Sequence, residues 1–114
     1  MEIQVRTDHN VAGAPELIAE VEREITDELG VFGHRITTVQ VHLGDENGDK
    51  WGDADSRCMI EARPAGHAPV AVTHHAATMD VAISGAARQM HARLESLFGR
   101  LDDAHPGAPT IRGR

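Results

Sequence analysis

Apolar and polar residues alternate through EIQVR at residues 2–6: Ile3 and Val5 fall on one side, Glu2, Gln4 and Arg6 on the other. A period of two predicts a half-buried strand. TDHNVAGAP, which follows, is turn chemistry, and Pro15 is placed to open a helix. From 15 to 29 the period lengthens: Leu17, Ile18, Val21, Ile25 and Leu29 recur at helical spacing. That is an amphipathic helix, with Glu16, Glu20, Glu22, Glu24, Asp27 and Glu28 on its outer face and Gly30 positioned as its C-cap.

Alternation returns in ITTVQVHL at 36–43, where Val39, Val41 and Leu43 oppose Thr38, Gln40 and His42. It recurs in RCMIEAR at 57–63, with Cys58, Ile60 and Ala62 inward and Arg57, Met59, Glu61 and Arg63 outward. A turn over Pro64 to His67, with Gly66 free to take positive φ, leads to a fourth strand at 69–74. Pro69 suits the start of an edge strand. The last element spans 77–101, with an apolar stripe of Met79, Ile83, Ala86, Met90, Leu94, Leu97 and Leu101.

The order is β-α-β-β-β-α, an α+β class. A right-handed crossover makes the first two strands parallel if they are neighbours, and the last three form an antiparallel meander. Two apolar helix stripes and one apolar sheet face are buried together when both helices cover one side of a four-stranded mixed sheet. The opposite face is then polar and wet.

A length of 114 residues reads as a single domain, here 1–101, with a flexible tail at 102–114 rich in Pro and Gly. Such a chain can bury about 65% of its unfolded surface, enough for a core without staples. No run of about 18 apolar residues predicts a membrane span, and MEIQVRTDHN has no apolar core of a secretory signal. The lone Cys58 excludes an internal disulfide, so a cytoplasmic address is expected.

The net charge of −7 argues against simple electrostatic capture of nucleic acid. The charge is uneven, however. Residues 1–56 hold 4 basic and 13 acidic side chains, a net of −9, and residues 57–114 hold 7 and 5, a net of +2. A polyanion would therefore meet the second half. Ten of the eleven basic residues are arginine, which suits bidentate phosphate contacts, although genomic base composition accounts for such a bias as well.

The acidic stretch from His42 to Cys58 invites a metal reading. Asp45, Asn47 and Asp49 match the first ligand positions of an EF-hand loop. Lys50 stands where the sharp turn needs glycine, Ser56 where the bidentate glutamate belongs, and the flanks read as strands. The stretch is better read as a charged hairpin connection. Trp51 within it is either an anchor for a partner or a ring folded back over the sheet. His74 and His75 are adjacent on a strand and face opposite ways, and no zinc-ligand spacing occurs. Cys58 lies among inward-facing residues, as an inert buried thiol does. Neither a catalytic constellation nor a phosphate-binding glycine loop is present, so no enzyme activity, cofactor, metal or small-molecule substrate is expected.

Four stretches, MEIQVRTDHN, HRITTVQVHLGDENGDK, RCMIEARPAGHAPVAVTHHA and TMDVAISGAARQMHARL, together with the element order, resemble the ribosome hibernation-promoting factor family, also called ribosome-associated inhibitor or sigma-factor modulation proteins. The resemblance covers residues 1–101 and is closest to the short single-domain members. It implies a fold like double-stranded-RNA-binding domains. It also implies a stress or stationary-phase factor that occupies the decoding region of the small ribosomal subunit and silences translation without chemistry. Better-known members carry basic residues along both helices; here Glu24, Asp27, Gln89, Ala92 and Ser96 stand at such positions. Phosphate contacts supply most RNA affinity, so the candidate contacts are Arg6, Arg57, Arg63, Arg88, His91, Arg93 and Arg100. Any one of them alone also fits a solvated surface side chain. The alternative reading is a protein-interaction module on the same fold that does not bind RNA, supported by the acidic first half and Trp51. The edge strand at 69–74 is open to pairing with a second copy, and its residues set no oligomeric state.

Overall fold

The computed structural model describes residues 1–8, 13–45 and 56–104. Strands β1 (Glu2–Thr7), β2 (Ile36–Asp45), β3 (Ser56–Pro64) and β4 (Val70–Ala76) form one sheet in the order β1-β2-β3-β4. β1 runs parallel to β2, whereas β2, β3 and β4 are mutually antiparallel. Helix α1 (Pro15–Leu29) is the crossover between the parallel pair, and α2 (Met79–Ala104) closes the chain order. This is the β-α-β-β-β-α mixed sheet expected from the two periods.

The period-two segments occupy the faces assigned to them. Val39, Val41, Leu43, Cys58, Ile60 and Ala62 are all buried in one core with Val21, Ile25 and Leu29 of α1 and Ala82, Ile83, Ala86, Met90 and Leu94 of α2. Ile3, Val5 and Leu17 pack at its margin. Both helices therefore cover the same side of the sheet, α2 over β3 and β4, and α1 over β1 and against α2.

Local details differ from expectation at three points. Gly30 is the C-cap of α1, as expected, but it stays right-handed (φ −60°), so the chain does not turn away there. The chain tightens into a 3-10 turn over Gly30–Arg35 because Phe32 packs on the core margin and Arg35 is drawn across α2. Its guanidinium stacks 4.0 Å from the Phe98 ring centre and forks onto Asp102 at 3.1 and 3.3 Å. The buried face of α2 is also broader than a single stripe. Ala87 and Phe98 are buried, and Leu97 only partly, because the helix meets the sheet on one side and α1 on another. Finally, α2 runs on to Ala104, past the expected end at 101. Thr78 caps its start, the hydroxyl accepting from Val81 N–H at 3.3 Å. The turn after β3 is as expected: Gly66 has φ +77°, and His67 N–H donates to the Pro64 carbonyl at 3.1 Å.

The acidic stretch joins strands, not helices: Asp45 and Ser56 are direct cross-strand partners at the end of the β2–β3 ladder. Residues 46–55, and with them Trp51, lie outside the described residues, as does the tail from 105.

Cys58 sits fully buried on β3, and burial pushes its thiol up from 9.0 to about 12. The native thiol should resist a thiol reagent at about pH 8 and react once the chain unfolds. Between pH 9.0 and about 12 the unfolded chain releases this proton while the folded chain holds it. Its contribution to stability is thus complete below pH 9.0 and is lost as pH rises toward 12. Stoichiometric labelling of the folded protein would contradict this.

Candidate nucleic-acid interface

The open face of the sheet is built in cross-strand rows. Gln4, Gln40, Glu61 and Ala71 form one; Arg6, His42, Met59 and Thr73 the next; Gly44, Arg57 and His75 a third. Arg6, Arg57 and Arg63 all lie on this side, away from the helices, as their period requires.

Two of these three arginines already face carboxylates. Asp8, one residue past β1, is held at the sheet by its N–H, which donates to the Leu43 carbonyl at 3.0 Å. Its side chain accepts from Arg57 Nη2 at 3.2 Å and from His42 Nε2 at 3.0 Å. Gly44 lies directly below. A side chain there would collide with both the Arg57 guanidinium and the Asp8 carboxylate, so the pair closes over the strand only because this position is glycine. Arg63 stands 3.9 Å from Glu61, a long pairing worth little at the surface. Of these three, Arg6 alone makes no ion pair among the described residues.

Helix α2 divides its own candidates by direction. His91 is half-buried on the side toward α1: its Nδ1–H donates to the Glu28 carbonyl at 2.8 Å, and its ring packs tilted against Phe32, with centroids 5.0 Å apart and planes at 58°. It works as a joint between the helices. Arg93 and Arg100, seven residues apart, point only about 20° from each other and lie on the flank toward the β4 edge. Arg88, five residues before Arg93, is about 140° round the helix from it and faces solvent. Arg88 and Arg93 make no ion pair among the described residues; Arg100 donates to Ser96 Oγ at 2.9 Å.

Between α2 and β4 runs a groove of about 430 Å³, lined by Val72, Gln89, Ala92, Arg93, Ser96 and Arg100. No carboxylate lines it. The acidic side chains of α1 lie on the opposite side of α2, which is about 10–12 Å thick with its side chains. The acidic face of α1 is therefore on the far side of α2 from this groove.

Sequence reasoning chose seven candidates of equal standing; among the described residues the structure separates them into arginines without an ion pair on α2 and at Arg6, half-neutralised Arg57 and Arg63 on the sheet, and one packing histidine. It missed Asp8, since nothing local marks a turn aspartate as the counter-ion of residues far along the chain. It also missed Val72, and it had Gln89 only as a position where the resembling family carries a basic residue; both line the groove only because β4 and α2 meet there. Among the described residues no group of three His, Cys, Asp or Glu side chains is disposed to hold a metal, and no helix is long and apolar enough to cross a membrane.

No protein-family model matches the sequence, and no curated protein matches it. Solved structures do. A ribosomal subunit interface protein from Coxiella burnetii superposes with a TM-score of 0.73 at 11% identity, over 87% of this chain and 99% of that one. The N-terminal domain of Protein Y from Thermus thermophilus gives 0.64 at 15% identity, over 85% and 99%. The resemblance drawn from the sequence thus has its counterpart in three dimensions: this chain carries the fold of a ribosomal subunit interface protein and of the Protein Y N-terminal domain, over nearly their whole length.

Proposed function

We propose that the chain is a non-enzymatic, cytoplasmic ribosome-associated factor that binds the small ribosomal subunit and silences translation under stress or in stationary phase by occupancy alone. The observation that carries this is the segregation of charge. Arg88, Arg93 and Arg100 are exposed on the outer and β4-facing sides of α2, and the groove beside Arg93 and Arg100 has no carboxylate in its lining. The shared fold with a ribosomal subunit interface protein supports the same reading. A surface of this kind gains affinity by releasing counter-ions from RNA phosphates.

Binding to purified small subunits, measured at two salt concentrations, tests the proposal. Three to four phosphate contacts give a slope of log K against log salt of about −3. A flat dependence, or no binding at low salt, defeats it. The second of these favours a protein partner, for which α1 offers an acidic face on which Glu16, Glu20, Glu22 and Asp27 are all exposed.

A further inference from the structure

The α2–β4 groove has more chemistry than a row of charges needs. Its floor is apolar, formed by Val72, which is 8% exposed, and by the methyl group of Ala92. Its rim is polar: the Gln89 amide, the Ser96 hydroxyl and two guanidinium groups. The volume of about 430 Å³ lies within the range of small-ligand sites, about 300–1,000 Å³. Ser96 accepts from Arg100 at 2.9 Å, which holds that guanidinium along the groove wall.

We propose that this groove binds one nucleoside phosphate unit, with the phosphate on Arg93 and Arg100 and the base on the apolar floor formed by Val72 and Ala92. Two guanidinium forks without a competing carboxylate match the oxygens of a phosphate better than a neutral ligand. The apolar floor of Val72 and Ala92 can take the face of a base, and the Gln89 amide, which both donates and accepts, can meet a base edge. The unit has two sources, a free mononucleotide or an unpaired nucleotide of an RNA strand, whose splayed bases are the usual target of RNA recognition. The inference builds on the reading of this flank as RNA-facing and adds the nucleotide subsite.

The experiment titrates the full chain, followed by nuclear magnetic resonance, with inorganic phosphate, with each of the four nucleoside monophosphates and with a short single-stranded RNA. At least one monophosphate or the RNA should perturb the signals of Val72, Gln89, Ala92 and Arg93. It should bind about tenfold tighter than inorganic phosphate, the increment of one modest apolar contact. Arg93→Ala with Arg100→Ala should remove that binding. Ala92→Glu, which puts a negative charge on the floor, should remove it while both arginines remain. All three positions are exposed, so these variants keep the fold. Monophosphate binding identifies a free-nucleotide site, and binding of the RNA alone identifies a strand site. Affinity no better than inorganic phosphate, perturbations away from the groove, or no binding by any nucleotide would overturn the proposal. So would occupation by an acidic peptide adding to the β4 edge instead. Small-subunit binding by the unsubstituted chain is measured in parallel: its absence beside intact nucleotide binding counts against the ribosomal reading, not against the groove.

Discussion

Ile60→Asp should abolish folding. Ile60 is fully buried at the centre of β3, flanked by Val41 of β2 and Val72 of β4 on the same face. A carboxylate there has no cation and no donor within the apolar cluster, and burying it unpaired costs several kcal/mol. A domain of this size is stable by only about 5–15 kcal/mol, and removing the packing of a large aliphatic adds a further 2–5 kcal/mol or so. Far-ultraviolet circular dichroism at neutral pH should show loss of the native helix signal and no cooperative thermal transition. Met90→Asp, fully buried on α2, should behave alike. Thr73→Asp is the control: Thr73 pairs beside Met59 on the open face and is exposed, so that variant should melt close to the parent. A cooperative, near-parental transition for Ile60→Asp would mean that the apolar sheet face is not the one beneath the helices.

Replacing Arg88, Arg93 and Arg100 together by Ala should weaken small-subunit binding on the order of a hundredfold at low salt, taking about 1 kcal/mol for each exposed charged pairing. It should also reduce the salt slope by about 3, one for each arginine–phosphate pairing removed. The fold should survive, because all three side chains point away from the core. Arg57→Ala with Arg63→Ala should have a much smaller effect. Asp8 and Glu61 already stand beside those guanidinium groups, at 3.2 and 3.9 Å, so their field at a phosphate is partly cancelled. Reversal of that order, with the sheet pair costing more than the helix triple, would move the binding surface to the open face of the sheet.

The two halves of the charge pattern acquire meaning only on this scaffold. Net charge by itself predicts poor affinity for a polyanion. Once α1 and α2 are laid side by side, the acidic residues of α1 flank one side of the layer and the arginine groove opens on the other. His91 makes the same point. Its position in the sequence places it with the arginines of α2, yet packing against Phe32 and the Glu28 carbonyl makes it part of the joint between the helices.

Four strands, two helices, their order and the side on which each strand side chain falls were legible along the chain alone. Periods of two and of 3.6 are local properties, and a residue's face depends only on its neighbours in sequence. Arg57 and Arg63 could thus be placed outside the helix layer without coordinates. The neutralisation of Arg57 could not, because Asp8 lies 49 residues away from it, and 34 from His42. Nor could the groove, whose walls belong to β4 and α2 and exist only where the two meet. Ion pairing and concavity depend on distances in space, which composition and periodicity do not encode, and those distances decide which arginines remain available to a ligand.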